Sequence, residues 1–254
     1  MSTSSETKIN QLLQVQSSGT VLLASWLLKQ GYSRELQHRY IKNGWLASIG
    51  YGAMKRNGDT IELPGALYAL QAQAGSFIHI GGRTALGMQG LSHYVELYQK
   101  ETLLFAPPGV TLPAWFKAFT WNTKPVMIHT SMLPPGIGLL EFEVKTFSIQ
   151  ISDPIRSILE CLELAPAKFD LEEAWHIMEG LSSLRPKNVQ GMLEQCNSVK
   201  AVRLFLFLAE KADHSWFKYI NTSRIELGRG KRSIVPHGIY IPKYQITVPK
   251  SLQP

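Results

Sequence analysis

A chain of 254 residues with 44% hydrophobic and 18% charged residues is long enough for one large or two small domains, and its composition excludes wholesale disorder. The formal charge of +7 is unevenly placed, at +4 over residues 1–94, −5 over 95–180 and +8 over 181–254, so two basic stretches suited to a polyanion flank an acidic middle. Two isolated cysteines, Cys161 and Cys196, exclude a zinc ribbon or a C-x-x-C redox pair and read as buried free thiols.

No run of roughly 18 uncharged apolar residues is present. The polar start, Ser2 to Lys8, has no signal-peptide core. A cytoplasmic protein is expected.

Ile9, Leu12, Leu13 and Gln16 share one face of a first helix over 8–16, which Ser17-Ser18-Gly19 ends. A second helix, 24–30, stops at Gly31, and Ser33 caps a third over 34–43 that stops at Gly44. Two short helices joined by a tight Gly-containing turn form a helix-turn-helix. Leu36, Tyr40 and Ile41 supply the buried side of the third helix. Arg34, Gln37, His38, Arg39 and Lys42 supply donors suited to base edges and phosphates. From Lys8 to Arg56 there are seven Lys/Arg and one acid, Glu35. Strands over 45–49 and 53–56, joined by Gly50-Tyr51-Gly52, form a hairpin that serves as a wing, with Lys55 and Arg56 placed for phosphates.

A helix over 66–73, a strand over 77–80 and a helix over 83–88 complete a first domain, 1–94. The second, 95–254, is read as mixed α/β. Its strands are 103–106, 124–130 and 139–147. Helices follow from Asp153-Pro154 to Leu164, then over 171–180, 188–196 and 199–211. Strands around 225–227, 232–235, 239–241 and 245–248 end the chain. The fold class expected is α+β, a winged helix-turn-helix followed by this α/β domain.

Gly44-Trp45-Leu46, Ile49-Gly50-Tyr51-Gly52-Ala53, Gly81-Gly82-Arg83-Thr84-Ala85-Leu86, Gly90-Leu91 and Leu227-Gly228-Arg229-Gly230-Lys231-Arg232 stand in that order along the chain. In these motifs the sequence resembles the AbiEi-type antitoxins of type IV toxin–antitoxin and abortive-infection systems, over about Lys8 to Pro249. The resemblance implies an N-terminal winged helix-turn-helix that represses its own operon at inverted repeats in promoter DNA. It also implies a C-terminal antitoxin domain that counteracts a nucleotidyltransferase toxin, without requiring a stable complex with it. The runner-up is a winged-helix regulator whose C-terminal domain senses a ligand or partner, with no toxin.

No catalytic constellation assembles, so no enzyme, cofactor or metal is expected. Glu143-Val144-Lys145 matches half of a nuclease site, but residues 102–140 contain no Asp or Glu to complete a metal site. With Glu141 it reads as the solvent face of one strand. The seven histidines lack metal-ligand spacing, and His79 and His129 read as core or boundary residues. Gly81-Gly82-Arg83-Thr84 is a strand-to-helix turn that could seat an anion on its amides. It lacks the third glycine of a dinucleotide loop, and a purely structural turn is the preferred reading. Arg229, Lys231 and Arg232 make a basic turn between two strands, a possible nucleic-acid contact.

Overall fold

The computed structural model describes residues 8–91 and 100–253; the expected domain boundary at 94/95 and the polar start over 2–7 lie outside the described residues. The architecture is mixed α+β. In chain order the first elements are α1 (Lys8–Val15), β1 (Leu22–Leu23), α2 (Ala24–Lys29), α3 (Arg34–Lys42), β2 (Leu46–Gly50) and β3 (Ala53–Arg56). Next come α4 (Leu63–Tyr68), running on into a π-helical turn over Ala69–Gln73, then β4 (His79–Ile80) and α5 (Gly82–Met88). The middle holds β5 (Glu101–Ala106), α6 (Ala114–Ala118), β6 (Lys124–His129), β7 (Leu139–Val144) and β8 (Phe147–Ser152). After these stand α7 (Pro154–Leu164), α8 (Leu171–Gly180), α9 (Pro186–Glu194) and α10 (Val199–Lys211), then β9 (Arg232–Ser233), β10 (Ile239–Ile241) and β11 (Ile246–Val248). Three sheets have the strand orders β1-β3-β2, β10-β11-β9 and β6-β5-β4-β8-β7. No helix among the described residues is long and apolar enough to cross a membrane.

The chain separates into two compact units. One comprises Met1–His79, Gly109–Val126 and Glu141–Gln150; the other comprises Ile80–Pro108, Met127–Leu140 and Ile151–Pro254. The first unit contains the winged helix. Its core gathers Ile9 and Leu12 of α1, Leu22 of β1, Leu27 of α2, Tyr40 of α3, Leu46 of β2 and Met54 of β3, so the face spaced at i and i+3 on α1 is the one that packs. The antiparallel wing pairs Leu46 with Arg56 and Ala47 with Lys55, and a register shift between Ser48 and Gly50 bends it near the tip. Gln73 extends β1 sideways: its carbonyl oxygen accepts from Leu23 N–H and its amide donates to Val21 O, both at 2.8 Å.

At Gly50, φ is +148°. A Cβ there would sit 2.8 Å from Trp115 Cβ and 3.1 Å from its Cα, because α6 lies against the wing. Gly50→Ala is therefore expected to destabilise the first unit by about 1–3 kcal/mol, combining overpacking with an unfavourable backbone. Urea unfolding followed by tryptophan fluorescence measures it, and an unchanged midpoint would refute the close approach.

The core of the second unit is built from α7, α8, α9 and α10, with Ile241, Ile246 and Val248 of the small C-terminal sheet. Asp153 caps α7 through Arg156 N–H at 2.8 Å, with Pro154 at the first position, as the sequence indicated. The turn at Gly81-Gly82 is structural. Gly82 N–H donates to Glu160 Oε2 at 2.8 Å, so that amide holds a carboxylate of the chain itself. Glu160, wholly buried, also accepts from Ser152 Oγ and from Arg156 Nε, each at 2.8 Å. Arg156, 3% exposed, donates further to the carbonyls of Ile137 and Pro134.

Several expectations are corrected. The strand read over 139–147 is a hairpin, β7 and β8, turning at Lys145 with φ +55°. Lys145 therefore leaves the face of Glu141 and Glu143 and lies 3.6 Å from Glu62. Residues 225–227 form no strand, and α6 and β1 stand where none was read. His79 is buried as expected, with Nδ1 3.2 Å from Phe77 O, whereas His129 is exposed.

Both cysteines are buried free thiols. Burial pushes Cys161 well above the usual thiol range and Cys196 up to about 11. Since the thiolate is the nucleophile, iodoacetamide at pH 8 is expected to leave both unmodified in the native protein and to label both in urea. Mass spectrometry decides this, and rapid native labelling of either would contradict their burial.

Candidate nucleic-acid interface

Ser33 begins α3 with extended backbone, and its hydroxyl accepts from Leu36 N–H at 3.3 Å. The preceding turn closes as Tyr32 N–H donates to Leu27 O at 2.9 Å, with Gly31 at φ +82°. Tyr32 OH then donates to Lys8 O, and Lys8 Nζ donates to Gly31 O. Helix α1 thus braces the turn that sets the angle between α2 and α3. The wing tip is tied to the same elements, since Ala24 N–H donates to Gly52 O at 2.9 Å.

On this frame Arg34, His38 and Lys42 stand four residues apart and are all exposed, with Arg39 exposed beside them. Together with Glu35 they line one shallow groove along the outer face of α3. Glu35 lies in the first turn, where a negative charge suits the helix dipole. A backbone N–H and then the Ser33 hydroxyl hold its carboxyl below the usual range. The groove therefore carries three permanent cations and a histidine against one carboxylate.

Gln37 does not join them. It is 4% exposed, and its amide donates to Tyr32 O at 2.8 Å and to Ala24 O at 3.2 Å. An amide held between the two helices serves the turn and is not presented to a base edge. Lys55 and Arg56 are also turned inward from the expected phosphate positions. They are half-buried, Lys55 donating to Asp59 O and Arg56 to Leu13 O. The wing instead presents Tyr51, 96% exposed at its tip. Sequence reasoning passed over this ring, although an aromatic between two glycines at a hairpin tip has nothing of its own chain to pack on.

In the second unit Arg229, Lys231 and Arg232 are exposed. Their loop is fixed from below by Arg203 of α10, which is 2% exposed. Its guanidinium donates to Leu227 O at 2.7 Å, Gly230 O at 2.8 Å, Gly228 O at 3.2 Å and Gln245 O at 3.3 Å. The segment is thus a clamped loop leading into β9, which pairs parallel to β11; it is not a turn between two strands. Lys231 Nζ lies 4.8 Å from the centre of the Tyr240 ring, a cation–π contact that leaves the ammonium at the surface. Among the described residues no three His, Cys, Asp or Glu side chains converge to hold a metal.

A family model described as the AbiEi antitoxin N-terminal domain of a transcriptional regulator matches residues 5–97. A second, described as a transcriptional regulator, AbiEi antitoxin of a type IV TA system, matches residues 99–249. No curated protein matches the sequence. The fold is similar to the crystal structure of the RV2827C protein from Mycobacterium tuberculosis, with a TM-score of 0.56 over 94% of this chain and 88% of that one, at 13% identity.

Proposed function

Because the chain belongs to the AbiEi antitoxin family of transcriptional regulators of type IV toxin–antitoxin systems, we propose that it represses its own operon by placing α3 in the major groove of inverted repeats, and that it counteracts a nucleotidyltransferase toxin. The observation that carries the DNA-binding half is the groove of Arg34, His38, Arg39 and Lys42 along one face of a braced recognition helix. Donors of this kind, spaced along a helix, suit base edges and phosphates. Tyr51 is assigned to the backbone beside the groove. The family membership supports the antitoxin half, which the reading assigns to residues 95–254, leaving residues 1–94 to DNA; the protein acts in the cytoplasm and needs no catalysis of its own.

Co-expression with a nucleotidyltransferase toxin, if one is encoded beside this gene, tests the antitoxin half. Growth rescue by the full chain is expected, and equal killing with and without it would remove that half. Replacing Arg229, Lys231 and Arg232 together with alanine should abolish rescue if the clamped basic loop acts on a nucleic acid in toxin control. Undiminished rescue would leave that loop out of the antitoxin activity.

A further inference from the structure

Within the first unit, a cavity of about 700 Å³ opens beside the start of α3 and the wing tip. That volume falls among ordinary small-molecule sites, which run to roughly 300–1,000 Å³. Leu23, Leu70, Ile78 and Trp115, all buried, contribute to its walls. Arg34 is the one charged residue among those lining it. The Arg34 guanidinium acts through space on the adjacent Glu35 carboxylate, and the hydroxyls of Ser25, Ser76 and Thr111 supply neutral polar positions. An apolar chamber with a single cation in its lining fits an apolar body carrying one carboxylate.

We propose that this cavity binds a small amphipathic carboxylate whose acid group pairs with Arg34, and that binding competes with DNA. The competition rests on the DNA-binding reading above; the binding itself does not. Arg34 heads the recognition helix and Tyr51 and Gly52 form the wing tip, so both edges of the cavity are also edges of the DNA-facing surface. A carboxylate on Arg34 withdraws that cation from DNA, and a bulky body under Tyr51 hinders the wing. The ligand then lowers DNA affinity because it binds the free protein better than the DNA-bound one.

The test uses 2-naphthylacetate and decanoate as acid probes and 2-naphthylacetamide as the neutral control, titrated calorimetrically into the full chain. The acids are expected to bind, with the naphthyl acid at least about tenfold tighter than its amide and the difference lost in Arg34→Met. Ala74→Phe, at an exposed position of the cavity rim, should abolish probe binding. It should leave the melting temperature and the promoter mobility shift unchanged. Saturating acid should weaken that shift in the wild type about tenfold and have no effect in Ala74→Phe. Neither acid binding at millimolar concentration, equal affinity for acid and amide, or full binding to Ala74→Phe would each overturn the site. A chain that binds the acids but shifts no promoter DNA keeps the site and loses the DNA-binding reading. A shift that is insensitive to bound acid removes the competition alone.

Discussion

Replacing Arg34 and Lys42 together with alanine is expected to weaken binding to the promoter DNA roughly 30-fold or more, at about 1–3 kcal/mol for each side chain withdrawn from a base edge. The two side chains lie eight residues apart on one exposed face, about 12 Å along the axis at 1.5 Å per residue. A helix lying in the major groove presents both to one duplex. Each that neutralises a phosphate also releases a counterion, so the salt slope should fall by about 1 for each phosphate no longer neutralised. Mobility shifts across a salt series measure both quantities. Gln37→Ala is the informative companion. Its loss removes the amide that donates to both Ala24 O and Tyr32 O, so it should lower stability by about 1–3 kcal/mol instead of acting selectively on DNA affinity. Wild-type affinity in the double variant would dismiss α3 as the recognition helix.

The largest loss of stability is expected from Glu160→Ala. The carboxylate holds Gly82 N–H, Ser152 Oγ and Arg156 Nε in a fully buried position. Removing it leaves the Arg156 charge buried without its anion, which costs about 3–5 kcal/mol where such pairs have been broken. Two neighbouring donors are left unpaired as well. Glu160→Gln, which keeps an acceptor oxygen, should fall between the wild type and the alanine variant. Replacing Arg156 and Glu160 jointly by apolar residues of similar volume should recover much of the loss, since the pair's own desolvation is costly. Urea denaturation of the four proteins gives their order of stability. A Glu160→Ala midpoint equal to wild type would mean that the network carries no stability.

Much of this was legible where chemistry is local. Ser33 and Asp153 announce their helices by capping, and the apolar spacing of α1 identifies its packed face. The exposed stripe at Arg34, His38 and Lys42 follows from helical phase alone. The same phase sets Gln37 beside Tyr40 and Ile41, and only its polarity suggested otherwise. The hairpin at Lys145 was hidden because its left-handed turn uses no glycine, asparagine or proline. Helix α6 has five residues, too few for a period to show. Residues 225–227 have a strand-like composition, but Arg203 claims the carbonyls of Leu227 and Gly228 from 24 and 25 residues away, a demand that no local pattern reveals. The inward turn of Lys55 and Arg56 likewise depends on partners, Asp59 O and Leu13 O, that only the folded chain brings near.

The segment Gly109–Val126 belongs to the same compact unit as the winged helix, and through Trp115 it lies directly against Gly50 of the wing. Deletion genetics will therefore mislead in this gene. A stop codon placed after residue 94, intended to isolate a DNA-binding fragment, removes the support behind β2 together with the later stretch Glu141–Gln150 of the unit. A silent fragment of that kind reports a broken fold and assigns no task to the missing half. Separate genetic alleles for promoter control and for toxin protection are better sought as surface missense changes in an otherwise intact chain.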